Sequence, residues 1–154
     1  MKVLPLAELV ERLRLERDAG RTIALANGLF DLLHVGHLRY LEGAKAQADL
    51  LVVAINADSS ARALKGEGRP IVPEAERAEL VAGFACVDFV TVFAERTVEP
   101  LLRALRPHVH CKGTDYTAET VPERAVAREL GIRVAIVGDA KDHATSELLS
   151  RLRR

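Results

Sequence analysis

At 154 residues the chain is long enough for one domain with a real core and too short for two, so a single domain is expected over residues 1–154. Its hydrophobic content of 49% and charged content of 29% fit a soluble globular protein, and 22 Lys plus Arg against 22 Asp plus Glu leave none of the basic excess of a general nucleic-acid binder. No apolar run approaches a membrane span, no basic-then-apolar leader opens the chain, and its two cysteines, Cys86 and Cys111, lie in apolar segments; a cytoplasmic protein with reduced thiols is expected.

Residues 5–18 place Leu6, Leu9, Val10 and Leu13 at helical spacing with charges between them, which predicts an amphipathic lead-in helix closed by Gly20. Thr22 to Ala26 reads as a first buried strand. Gly28 and Asp31 break it, and a helix is expected from Val35 to Gln47 with Leu38, Leu41, Ala44 and Ala48 as its apolar stripe. Leu50 to Ile55 is a second strand, apolar throughout, as expected when both faces are covered. Residues 59–72, with Gly66, Gly68 and Pro70, read as loop. Pro73 suits the first turn of a helix running to Phe84. Then come a strand at Val87–Phe93, a short helix at Pro100–Leu105, a strand at His108–Cys111, a helix at Pro122–Leu130, a strand at Arg133–Val137 and a last helix from about Thr145. Alternation of strand and helix predicts an α/β fold: a Rossmann-like, doubly wound, parallel five-stranded sheet. Ligands of such sheets bind beyond the carboxyl ends of the strands.

The segments that follow predicted strands therefore hold the candidate residues. In Gly28-Leu29-Phe30-Asp31-Leu32-Leu33-His34-Val35-Gly36-His37, two histidines three apart at a helix start can point the same way. Gly36 lets a ligand come close, and the helix N-terminus offers free N–H groups to a phosphate. Two imidazoles there can donate to an α-phosphate as charge develops on it. A pair at this spacing also suits a metal, yet the rest of a Cys/His ligand set is missing, so no resident metal site is expected. Arg77 shares one helix face with Leu80, Val81 and Phe84, and a guanidinium on an apolar stripe needs an anion: a phosphate, or a carboxylate of the protein itself.

This histidine segment resembles the signature of the cytidylyltransferase-like nucleotidyltransferases, and the resemblance runs from about Ala24 to the C-terminus. It implies transfer of a nucleoside monophosphate from a nucleoside triphosphate to a phosphate monoester, with release of pyrophosphate. His34, His37 and Lys65 are then the catalytic candidates. Gly28, Leu29, Phe30, Asp31, Gly36, Arg77, Gly113, Asp115, Thr145 and Ser146 are assigned to the nucleotide, and Asn56, Asp58, Arg69, Lys112 and Tyr116 to the acceptor. Mg²⁺ is expected with the triphosphate, because such polyanions need neutralising.

Within the family, Lys65-Gly66-x-x-Arg69-Pro70 and Lys112-Gly113-Thr114-Asp115-Tyr116 are most similar to the heptose 1-phosphate adenylyltransferases. That implies ATP and D-glycero-β-D-manno-heptose 1-phosphate as substrates, a homodimer, and a kinase and phosphatase acting separately. Glycerol 3-phosphate cytidylyltransferases and FMN adenylyltransferases share the main motif and stay open, as does a non-catalytic nucleotide-binding module. The chain departs from the family pattern at Leu29, Asp142 and Ala144.

Overall fold

The computed structural model describes residues 1–139 and 145–153. Five strands form one parallel sheet: β1 (Ile23–Gly28), β2 (Leu50–Asn56), β3 (Phe89–Phe93), β4 (Val109–Lys112) and β5 (Arg133–Ile136), in the order β3-β2-β1-β4-β5. The doubly wound sheet expected from the sequence is therefore present. Its helices are α1 (Leu6–Asp18), α2 (Val35–Lys45), α3 (Asp58–Lys65), α4 (Glu74–Ala82), α5 (Glu99–Leu105), α6 (Arg124–Leu130) and α7 (Thr145–Leu152).

The strand faces separate by the period-two rule. Ile23 and Leu25 face one core layer with Leu9 and Leu13 of α1 and Leu101, Leu102 and Leu105 of α5. Ala24 and Ala26 face the other, with Leu41 and Ala44 of α2 and Ala78 and Val81 of α4. Every residue of β2 is buried, as its unbroken apolar run predicts. At the open edge of β3, Leu4 N–H donates to Val90 O and Val90 N–H to Lys2 O, both at 2.9 Å, so the N-terminal residues cover an edge that could otherwise pair with another chain.

One segment departs from the reading of 59–72 as loop. Asp58–Lys65 is helical, because Ser60 and Ala61 are buried against the sheet and Ser60 Oγ donates to Ala57 O at 3.0 Å. Gly66, at φ 89°, ends the helix in a conformation glycine adopts without strain. Cys111 is buried, whereas Cys86 is only half-buried; both are free thiols.

The chain leaves β1 in one direction, through β2 to β3, then crosses back to lay β4 against the other side of β1. The carboxyl ends of β1 and β4 thus flank the switch in strand order, where the backbone connections diverge and leave a crevice.

Candidate active site

The loop between β1 and α2 is strained and anchored. Phe30 and Leu32 have φ of 55° and 38°, the left-handed region that costs a non-glycine residue roughly 1–3 kcal/mol. Asp31, 2% exposed, fixes the middle of this turn. Its carboxylate accepts from the N–H groups of Ile71 and Val72 at 2.8 and 3.0 Å and from Arg69 Nε at 3.0 Å. Burial by itself pushes this carboxyl up; the two backbone N–H groups and Arg69 outweigh it and hold Asp31 below the usual carboxylate range. Asp31 thereby ties the loop after β1 to the segment that carries Arg69.

The two histidines cap α2. His34, the N-cap, accepts the Gly36 N–H on Nδ1 at 3.1 Å, and His37 accepts the His34 N–H on its own Nδ1 at 3.2 Å. Because each Nδ1 is an acceptor, each ring carries its proton on Nε2. Helix capping, which Ser, Thr, Asp or Asn normally performs, here sets the tautomer of both imidazoles. The ring centroids stand 4.0 Å apart, and Phe30, nearly buried, sits 5.5 Å from His37 and 6.4 Å from Tyr40 as a platform. Tyr40 donates to Cys111 O at 2.7 Å, joining α2 to β4. Burial drives the tyrosine hydroxyl well above its ordinary pKa, so it stays a donor, and it likewise pushes the Cys111 thiol up to about 12.

These elements wall a cavity of about 390 Å³, a size suited to a small-molecule ligand. From the β1–α2 side it takes Gly28, Leu29, Phe30, Asp31, His34, Gly36 and His37. From the far end of α3 and the loop after it come Lys65 and Arg69, and from the end of β4 come Lys112, Gly113, Asp115 and Tyr116. The Lys112 ammonium lies 4.7 Å from the Tyr116 ring centre, so the aromatic face steadies a cation at the rim. Two imidazole donors and three cationic side chains in one crevice describe a site for phosphate groups.

Arg77, Asn56 and Asp58, assigned to ligands from the sequence, are not brought to the cavity. Arg77 is fully buried and spends its guanidinium on the protein. It donates to Val72 O (2.8 Å), Leu29 O (2.6 Å), Asn56 O (2.8 Å) and Asp58 Oδ1 (2.8 Å). The anion that an arginine on an apolar stripe requires is thus Asp58, and Arg77 braces the strained loop from beneath. Asn56, 5% exposed, turns its amide to Ser60 Oγ at 3.4 Å. Position after a strand places these residues at the correct end of the sheet, while packing turns them inward. Leu80, expected on the buried face of α4, is 54% exposed. Thr145 and Ser146 begin α7, but their side chains fall outside the described residues, as do Asp142 and Ala144.

The cavity also takes residues to which the sequence assigns no role. Asn27 precedes Gly28, the last residue of β1, and Val137, Gly138 and Asp139 follow β5. Gly138 has φ 93°, and a Cβ there would stand 3.2 Å from Tyr40 Cα; a glycine after a strand is the one signal that marks it. Asp139 pairs with Arg39 and accepts from Thr114 Oγ1 at 2.6 Å, which locks the β5 end to α2 and to the β4 loop. Behind Asn27 lies His110, fully buried on β4, its Nε2 2.9 Å from Asn27 Oδ1.

A strand-end crevice with a histidine-capped helix and converging cations defines a nucleotidyltransferase domain of the His-x-Gly-His type. A model of the cytidylyltransferase-like family matches residues 25–148, and the chain belongs to that family. It is 43% identical over 140 residues to the bifunctional protein HldE of Syntrophotalea carbinolica, covering 91% of this chain and 29% of that protein. The Helicobacter pylori protein of the same name is 42% identical over 153 residues, 99% of this chain and 32% of that one. The chain therefore spans about a third of the length of these relatives. A lipopolysaccharide core biosynthesis protein from Thermoplasma volcanium superposes with a TM-score of 0.68 at 25% identity, over 79% of this chain and all of that one. Pantothenate synthetase from Thermus thermophilus has the same fold, with a TM-score of 0.64 at 20% identity over 90% of this chain and 61% of that one. Among the described residues, no helix is long and apolar enough to cross a membrane.

Proposed function

We propose that the chain transfers AMP from ATP to a sugar 1-phosphate, D-glycero-β-D-manno-heptose 1-phosphate, giving ADP-heptose and pyrophosphate. The observation that carries this reading is the pair of imidazoles whose Nδ1 atoms are engaged in capping α2, which makes both Nε2–H groups donors in a cavity shared with Lys65, Arg69 and Lys112. The segments that resemble the heptose phosphate branch, Lys65 to Pro70 and Lys112 to Tyr116, contribute to the same cavity from opposite sides. The similarity to proteins named HldE and to a lipopolysaccharide core biosynthesis protein supports the same substrate class.

An oxygen of the acceptor phosphate attacks the α-phosphorus of ATP. The bond from that phosphorus to the oxygen bridging the α- and β-phosphates breaks, and pyrophosphate leaves with the electron pair. The acceptor is already an anion, so the site needs no strong base. Its task is to bring two polyanions together and to stabilise the charge that develops. His34 and His37 donate to the α-phosphate and the bridging oxygen. Lys65 and Arg69 draw the triphosphate and acceptor phosphate together, and Lys112, Asp115 and Tyr116 line the sugar side.

Among the described residues, no group of three His, Cys, Asp or Glu side chains is arranged to hold a metal. In this reading Mg²⁺ enters with the substrate, carried on the phosphate oxygens as MgATP, because a triphosphate needs its charge neutralised.

Pyrophosphate release tests the reading, with MgATP and MgCTP crossed against heptose 1-phosphate, glycerol 3-phosphate and FMN. Release with ATP and the heptose phosphate alone supports it. Release with CTP and glycerol 3-phosphate overturns the substrate assignment and keeps the histidine chemistry. ATP binding with no turnover across the panel overturns the transferase reading for this set of acceptors and favours a nucleotide-binding module.

A further inference from the structure

His110 is an expensive residue in its position. It is fully buried, and its Nδ1 has no hydrogen-bond partner among the described residues. A leucine there would leave no such atom, and native interiors rarely tolerate one without a reason. The reason lies on the neighbouring strand. Val109 and Cys111 point into the layer of α2 and α4, so His110, between them, points to the opposite face of the sheet. In the parallel register His110 stands beside Leu25, and Asn27 is two residues further along β1 on the same face. Nε2 of His110 lies 2.9 Å from Asn27 Oδ1. An amide oxygen only accepts, so the imidazole donates from Nε2. Burial, with Lys112 adding to it, keeps this ring neutral by lowering its pKa to about 3.

One end of the Asn27 amide is thereby held. The other end, Nδ2, has no partner among the described residues, and Asn27 lines the same cavity as Gly28 and the two histidines. Nδ2 carries two N–H donors. A neutral donor pair in a crevice otherwise furnished with imidazoles and cations matches a phosphate oxygen. If the amide were free to turn over, half of its orientations would present oxygen to an anion.

We propose that His110 is a positioning residue, which locks the Asn27 amide with its NH₂ turned into the cavity, where Asn27 donates to an oxygen of the substrate phosphates. The inference rests on the phosphate-transfer reading of the site and adds a donor to it. Asn27 is then a catalytic residue in direct contact with substrate, and His110 acts through it.

The test compares the full-length chain with the variants His110→Leu, Asn27→Ala, the double variant and His110→Gln. Pyrophosphate release with MgATP and heptose 1-phosphate gives kcat and KM, and thermal melting is followed in parallel. Asn27→Ala is expected to lower kcat/KM about 100-fold, as removal of one preorganised donor does. His110→Leu is expected to melt no lower than the parent and to lose about 10-fold in kcat, with the double variant within about twofold of Asn27→Ala, because the two residues act as one unit. His110→Gln, whose amide can donate to Asn27, restores most of the lost kcat.

A His110→Leu protein with parent kinetics overturns the proposal, and so do losses that simply multiply in the double variant. Should His110→Leu fail to fold, Asn27→Asp decides. It keeps an acceptor for His110 and removes the NH₂, so it must stay folded and lose about 100-fold in kcat/KM; retained activity refutes the proposal. The ¹⁵N-resolved side-chain amide of Asn27, titrated with inorganic pyrophosphate, separates this inference from the reaction itself. A shift that His110→Leu abolishes supports the proposal even if the parent transfers no nucleotide, and a silent amide overturns it.

Discussion

Replacing Arg77 by methionine separates a brace from a triphosphate ligand. The substitution keeps the apolar stem and deletes a guanidinium that makes four hydrogen bonds, to Val72 O, Leu29 O, Asn56 O and Asp58 Oδ1. Asn56 O lies in fully buried surroundings, and leaving it unpaired costs roughly 1–3 kcal/mol. Val72 O and Leu29 O are partly buried, so water recovers some of their loss and about 1 kcal/mol each is reasonable. Asp58 is 30% exposed and regains hydration. Removing a desolvated charge returns part of the total, and a net destabilisation of about 3 kcal/mol follows. For a chain of this length that is a fall in Tm of about 6–12 °C. Arg77→Lys keeps the charge yet cannot serve three carbonyls as the planar fork does, and should fall between parent and Met. Thermal melting with calorimetric ATP titration is the assay. A methionine variant that melts within about 2 °C of the parent and binds ATP more than tenfold more weakly would refute the brace and return Arg77 to the nucleotide.

Three further outcomes follow from the same geometry. His34→Asn keeps a good N-cap acceptor for the Gly36 N–H and removes the Nε2 donor, so Tm should stay within a few degrees while kcat falls about 10²–10³-fold; equal losses in stability and turnover would assign His34 to capping alone. His110 ties stability to acid: above pH 6.5 neither state binds its proton, and below it the unfolded chain takes up a proton that the folded chain refuses down to about pH 3. Stability then falls with decreasing pH by up to about 1.4 kcal/mol per unit, and urea titrations between pH 6 and 4 should show a shallower decline for His110→Leu; identical slopes would contradict the buried neutral ring. Asp31→Asn weakens the anchor for Ile71, Val72 and Arg69, so the amides of Ile71 and Val72 should exchange faster with solvent and the KM for ATP should rise; unchanged exchange would show that the loop holds itself.

The sequence determined the α/β architecture because burial leaves its trace in composition. Leu50 to Ile55 is apolar at every position since helices cover both faces of β2, and the α2 stripe of Leu41 and Ala44 is the complementary trace on a helix. It also determined where to look: the histidine pair and the Lys112–Tyr116 segment follow strands, whose carboxyl ends a parallel sheet brings to one side, and Lys65 and Arg69 stand out by their resemblance to the heptose phosphate branch. Periodicity did not reveal α3, since eight residues ahead of two glycines resemble a loop until Ser60 and Ala61 find the sheet. Only the tertiary structure decided which way the strand-end residues turn. Arg77, Asn56 and Asp58 satisfy one another under the loop, because a buried guanidinium must find its acceptors wherever packing places them. Asn27 and His110 are 83 positions apart and carry no shared local pattern; they meet because the crossover laid β4 beside β1, and a hydrogen bond at 2.9 Å depends on that register, which no single stretch of sequence encodes.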